Sequence, residues 1–175
     1  MDTIAAILAR RSIRRFTAED VSPEDERTLV EAAFAAPSSN NARPWHFVVV
    51  RERETRARLA GVHQWSGLLA RAPLVIAVLG RADATAWVED GAAAAENILV
   101  AATALGLGTC WVGIWENRPK PHPDEVRTLE VLGTTPADYR CLCLIAVGHP
   151  ADRKAPRTQF QPAKLSYERV GRRTR

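Results

Sequence analysis

Residues 90–113 read DGAAAAENILVAATALGLGTCWVG, the longest apolar stretch in the chain. Its first part is dense in Ala and Leu, the strongest helix formers. The larger side chains Ile98, Leu99 and Leu105 are spaced by small residues. A helix of this kind is apolar nearly all round, which suits the middle of a core or a subunit interface. Glu96 and Asn97 interrupt the run, and its apolar part falls short of the roughly 20 residues that a membrane span needs. Gly106 and Gly108 are expected to end the helix, and TCWVGIW then reads as a short buried strand. The expectation is a central helix feeding a central strand, with the other elements packed around the pair.

Working outward, Thr3 to Arg10 reads as a short helix with Ile4, Ile7 and Leu8 on one face and Asp2 as its N-cap. Ser22-Pro23-Glu24-Asp25 starts a second helix, with a capping hydroxyl, Pro at the first position and acids in the first turn. It runs to about Ala36 and stops at Pro37. APSSNNARPW is a polar loop bracketed by prolines, and HFVVV is a strand. Arg51 to Ala60 reads as a charged surface helix, Trp65 to Arg71 as a shorter one, and LVIAVLG as a buried strand. Beyond the central pair, Pro121 to Leu132 is helical with Val126, Leu129 and Leu132 inward, and CLCLIAVG is the last strand. The remainder is a Pro-rich arm with a last turn near Tyr167. Strands alternate with helices, so the class is α/β or α+β.

A chain of 175 residues is most simply one domain, residues 1–175, and long enough to bury a core without disulfides. No charged-then-apolar leader opens it. Cys110, Cys141 and Cys143 sit in apolar strands, as thiols do in a reducing cytoplasm. The net charge is +4, unevenly spread. The arm at 151–175 holds eight Lys or Arg against Asp152 and Glu168, giving +6 and leaving −2 for the rest. Such an arm suits nucleic acid, a membrane surface or a phosphate-bearing ligand.

The second basic cluster, RRSIRRF at residues 10–16, has four arginines in six positions. It reads as a solvated turn or as an anion clamp, since guanidinium forks match phosphate oxygens and Ser12 adds a donor. Gly106-Leu107-Gly108 is no dinucleotide motif, because it ends a helix and opens a strand instead of the reverse. His46, His63, His122 and His149 are scattered, Cys141-x-Cys143 has no second pair, and no metal site is expected. Ser38 and Ser39 lack a nucleophile-elbow setting. No side chain stands out for acid, base or nucleophilic work, so the catalytic residue set is empty. If the chain is an enzyme, a cofactor carries its chemistry.

Three segments, RRSIRRF, APSSNNARPWHFVVV and ENILVAATALGLGTCWVG, together resemble the signature stretches of the nitroreductase family, FMN-dependent NAD(P)H oxidoreductases. GHPADRKAPR resembles the family's closing strand with its basic residues, and all four occur in the family's order. The resemblance implies an α+β fold with a mainly antiparallel central sheet flanked by helices. It implies an intertwined homodimer with FMN at the interface. Carried over by position, Arg10, Arg11, Ser12 and Arg14 would hold the phosphate, ribityl chain and pyrimidine edge. Pro37, Ser38 and Ser39 would reach the flavin of the partner subunit; Asn41 and Arg43 count as cofactor-binding residues, with Arg43 either at the pyrimidine edge or turned to solvent or a carboxylate. Cys110, Trp111, Val112 and Gly113 would run along one flavin face with a backbone N–H directed at N5, and Lys154 and Arg157 would complete the phosphate clamp. Hydride would pass from NAD(P)H to a nitroaromatic, quinone or similar small acceptor by a ping-pong route, in the cytoplasm and without nucleic acid or membrane. The alternatives are an FMN-binding or sensing protein without turnover, a specialised family chemistry such as reductive dehalogenation, and a basic nucleic-acid binder. The chain departs from the family in Arg43, where Gln is usual, and in the short stretch from Trp115 to Pro121.

Overall fold

A computed structural model describes residues 1–116, 120–152, 154–155 and 159–173. Five helices are present among them: α1 (Thr3–Ala9), α2 (Pro23–Phe34), α3 (Arg53–Ala60), α4 (Trp87–Ala104) and α5 (Pro123–Val131). Four strands, β1 (Trp45–Val50), β2 (Leu74–Arg81), β3 (Gly108–Gly113) and β4 (Tyr139–Gly148), form one sheet in the order β1-β2-β4-β3. Every neighbouring pair is antiparallel. The fold is therefore α+β.

The helix starts follow their capping residues. Asp2 accepts the Ala5 N–H at 3.0 Å, and Ser22 accepts the Asp25 N–H at 3.0 Å ahead of Pro23. α4 begins three residues before Asp90, at Trp87. Its end uses one glycine, not two. Gly106 takes φ 81°, its N–H donates to Thr103 O at 3.1 Å, and the Leu107 N–H donates to Ala102 O at 2.8 Å. That is the Schellman closure, which needs a left-handed residue just past the helix.

Gly108 serves a different purpose, as the first residue of β3. A Cβ there would lie 2.9 Å from the Cβ of buried Ile13. Gly108→Ala is accordingly expected to destabilise the chain by about 1–3 kcal/mol through overpacking. Urea unfolding of the two proteins checks this.

β2 and β4 are buried on both faces, and two cores result. On one side Leu74, Ile76 and Val78 pack with α2 and α4. On the other, Val75, Ala77 and Leu79 pack with Leu59, Leu69 and Leu129. Alternate residues of a strand serve opposite faces, and the layered arrangement follows. Leu142 is the exception: Val78 pairs with Cys143 and Leu79 with Cys141, leaving Leu142 bulged. Its carbonyl accepts the N–H groups of Ile114 and Trp115 at 3.1 and 3.2 Å, which carries the chain on from β3.

One expectation needs correction. β3 is an edge strand, not a central one; Trp111 and Gly113 are exposed on it while β2 and β4 hold the middle. In α1, Ala6 is the buried residue, and Ile4, Ile7 and Leu8 are exposed at 65%, 48% and 67%. Pro162 starts a 3-10 turn at Pro162–Lys164, and a last turn follows at Tyr167, whose N–H donates to Arg172 O at 2.8 Å while the Arg172 N–H donates to Arg169 O at 3.1 Å.

On α5 the buried face carries Glu125, Thr128 and Leu129. Glu125 takes both Nε and Nη2 of Arg140, at 2.8 and 2.9 Å, and the Cys141 N–H at 3.0 Å. Arg140 also lies over the Trp87 ring, 5.5 Å from its centroid. One ion pair thus fastens α5, the start of β4 and the start of α4.

Candidate functional site

Residues 11–14 run along the open edge of β3. The Ile13 N–H donates to Thr109 O at 2.8 Å, and Ser12 bridges Thr109 in parallel. Ile13 is buried, while Arg14 beside it is exposed. The segment is therefore anchored by one apolar residue and leaves its cations at the strand edge.

Arg11 is the exceptional member. Its Nη1 donates to Leu8 O at 3.1 Å and Arg10 O at 2.6 Å. Its Nε and Nη2 are buried without a partner. A buried donor left unpaired costs about 1–3 kcal/mol, more when charged, and an anion would supply the acceptor these two lack. Arg10 is engaged elsewhere, 3.6 Å from Glu96 on α4. The Lys154 ammonium donates to the Ser12 carbonyl, which brings the C-terminal arm to the same place. Burial pushes the Cys110 thiol up, while the charges of Arg14 and Lys154 pull it down; both cations thus act at β3. Arg157 lies outside the described residues.

β3 offers its own backbone. The Thr109 carbonyl faces away from β4 to meet Ile13, and the Gly113 carbonyl does so to lie 3.2 Å from His63 Nε2. The two-residue strand period turns the peptide groups of Trp111 the same way. They open into a cleft of about 480 Å³ whose walls include Arg14, Trp65, Arg71 and Cys110 through Gly113. A second cleft of about 520 Å³ continues past His63–Trp65 towards Trp115 and Arg127.

The loop after α2 is held in an unusual shape. Asn40, Asn41 and Arg43 have φ of 51°, 55° and 47°. Asn tolerates this region, but for Arg it carries strain of order 1–3 kcal/mol. Buried Asp90 accepts the Ser39 N–H at 2.8 Å, Ser38 Oγ accepts the Arg43 N–H at 3.0 Å, and Arg43 Nε donates to Asn41 Oδ1 at 2.9 Å. Pro37 is exposed beside them.

The structure brings Ser12, Arg14, Lys154 and Cys110 through Gly113 together, and Arg11 adjoins them along the chain with its Nη1 on the Leu8 and Arg10 carbonyls. It does not bring Pro37, Ser38, Ser39, Asn41 and Arg43 to them within one chain. That loop leads into β1, and β1 and β3 are opposite edges of the sheet. Three strand spacings, about 14 Å, separate those edges.

The sequence reading missed His63, Trp65 and Arg71 as cleft residues. Their partner strand lies some fifty positions further along, and no local pattern announces the meeting. Asp90 opens the apolar stretch, and no local pattern marks it as the anchor of Ser39. Among the described residues, no group of His, Cys, Asp and Glu could hold a metal ion. The three cysteines are free, and burial drives the Cys141 and Cys143 thiols up as well, which keeps them protonated. No helix among the described residues is long and apolar enough to cross a membrane.

The sequence model of the nitroreductase family matches residues 7–65 and 62–149. A protein of Methanothermobacter thermautotrophicus, assigned as an NADH dehydrogenase/NAD(P)H nitroreductase, is 34% identical over 173 residues, covering 97% of this chain and 88% of the relative. The FMN-dependent nitroreductase of Clostridium difficile R20291 superposes with a TM-score of 0.87 at 29% identity, covering 95% of this chain and 99% of that one. A Desulfovibrio desulfuricans nitroreductase solved in complex with FMN superposes with a TM-score of 0.83 at 31% identity, covering 97% and 98%.

Proposed function

The chain belongs to the nitroreductase family, and on that premise we propose that it is an FMN-dependent oxidoreductase. It takes a hydride from NAD(P)H and delivers it to a small flat acceptor such as a nitroaromatic or a quinone. The observation that carries this reading is the orphaned, buried fork of Arg11 beside an edge strand. The donor set fits FMN. Arg11, Arg14 and Lys154 offer cationic donors for a phosphate dianion, and the outward peptide groups of Trp111 suit the polar edge of a flat heterocycle. Bound FMN would supply the acceptance and release of the hydride. The chain's own residues bind and orient it, and buried Cys110 and Val112 keep water from that side of the strand.

The same reading makes the protein a homodimer. The loop at residues 37–43 cannot reach the clamp of its own chain, so it serves the cleft of a partner copy. Exposed Ile4, Ile7 and Leu8, with Phe34 at 57% and Leu105 at 43%, give the apolar surface such a pairing covers. Arg43, tied to Asn41, would bring a fixed positive charge to the partner's flavin where the family usually has a neutral Gln. Free buried thiols agree with a cytoplasmic setting.

One cleft beside Trp65 and Trp111 serves donor and acceptor in turn. The purified protein should be yellow, and heat should release FMN and not FAD, identified by chromatography. Double-reciprocal plots for NAD(P)H and a quinone should be parallel. A colourless protein that refuses added FMN overturns the proposal, and intersecting lines overturn the shared cleft.

A further inference from the structure

His63 uses both ring nitrogens. The Trp65 backbone N–H points at Nδ1 at 2.9 Å, and the Gly113 carbonyl lies 3.2 Å from Nε2. A peptide N–H can only donate and a carbonyl can only accept. One form of the ring satisfies both contacts, the neutral imidazole with its hydrogen on Nε2. The other neutral form sets N–H against N–H at Trp65 and lone pair against lone pair at Gly113. The doubly protonated ring keeps the Gly113 bond but loses the one to Trp65.

The surrounding turn is fixed on both flanks. Buried Ser66 Oγ lies 2.8 Å from Ala60 O and 2.6 Å from His63 O, and accepts the His63 N–H at 3.2 Å. Arg127 of α5 donates to Val62 O at 2.9 Å. Between these anchors stands Trp65, whose side chain is left in the open at 73% exposure on the rim of both clefts. An exposed indole gains little from its own burial, so its place over the cleft depends on the backbone that carries it.

We propose that His63, neutral with its hydrogen on Nε2, is a positioning residue that ties the Trp65 turn to the last residue of β3, and that a second proton on the ring releases this turn. The tie sets how wide the cleft stands open beside Trp111. The oxidoreductase reading enters only in what passes through that opening; the tie itself stands apart from it.

The charged groups around the ring come from four elements. Asp124 and Arg127 line its clefts from α5, Glu116 from the segment after β3, Arg14 from the N-terminal segment, and Arg71 from the end of a 3-10 turn at Gly67–Ala70. Asp124 is already paired with Arg127 and with His122. Among the described residues no ion pair to His63 forms.

The test uses the full-length protein as purified, with its cofactor. Long-range proton–nitrogen NMR reads the tautomer, and hydrogen exchange reads the protection factor of the Trp65 amide between about pH 8 and pH 5. The Nε2–H form is expected at the upper end. Trp65 protection should fall roughly tenfold on acidification, the loss of about one hydrogen bond. His63→Gln keeps an acceptor and a donor but does not titrate, so its protection should stay level with pH. His63→Ala should be low throughout. In turnover, the acceptor KM should vary with pH in the wild type and not in His63→Gln. An Nδ1–H ring at the upper pH, or equal Trp65 protection in the wild type and His63→Ala, overturns the proposal. The NMR arms do not depend on turnover, so failure to oxidise NAD(P)H would count against the enzymatic reading alone. If His63→Ala does not fold, the wild-type titration and His63→Gln still decide.

Discussion

Arg11→Glu is expected to weaken FMN binding by at least about a hundredfold, while Arg173→Glu leaves it within about twofold. Both substitutions remove one positive charge and add one negative, so the overall field changes equally. What differs is location. Two donors of Arg11 are buried and unpaired beside β3, whereas Arg173 is exposed at the end of the arm. A hydrogen bond to a charged group is worth about 1.5–3 kcal/mol. Two of them lost together correspond to two to four orders of magnitude in affinity. Arg11→Lys should fall between, since an ammonium keeps the charge without the fork. Fluorescence titration of the apoproteins with FMN measures all three. Equal affinity in the two charge reversals would remove Arg11 from the site.

Glu125→Ala is expected to be the most damaging single change to stability, costing about 3–5 kcal/mol. The carboxylate is fully buried, and it is the acceptor for both Arg140 donors and for the Cys141 N–H. Its removal strands a guanidinium that is only 17% exposed, and that uncompensated charge dominates the cost. For a chain of this size each kcal/mol moves Tm by about 2–4 °C, so a drop of roughly 6–20 °C follows. Glu125→Gln should lose less, because its carbonyl still accepts from Cys141 or Arg140. The paired change Glu125→Leu with Arg140→Met should recover much of the loss, since an apolar pair of similar volume avoids the desolvation of two charges. Calorimetry of the four proteins tests the order.

What could be read from the sequence was what depends on neighbours along the chain. Ser22 with Pro23, and Asp2, announce helix starts through bonds three residues long. The runs LVIAVLG and CLCLIAVG announce strands buried on both faces. The clustering of Arg10, Arg11 and Arg14 marked a clamp, because like charges so close in sequence stay close in any fold. The rest depends on meetings across the chain. TCWVGIW looks as buried as the two central strands, yet it lies at an edge, since strand order is not encoded within a strand. Glu125 looks like an outward helix position until Arg140 is seen opposite it. His63 has no local mark at all, because one of its partners, Gly113, arrives from another strand. Within the clamp, the sequence could not tell that Arg10 turns to Glu96 while Arg11 keeps two donors free.

The position of β4 bears on how the molecule is made. It is the last of the four described strands to leave the ribosome, yet it lies between β2 and β3. Before it emerges, β2 has only β1 beside it and β3 has no strand partner among the described residues. Both wait with apolar edges and unpaired peptide groups, the state in which nascent chains are most open to wrong pairing. The central helix, synthesised between them, can shield one face of β2 but cannot join the two strands. Completion is therefore a late event that needs contacts distant in sequence, a topology that folds slowly. A chain that stops short of Gly148 lacks the strand that joins its two halves, however well its helices form.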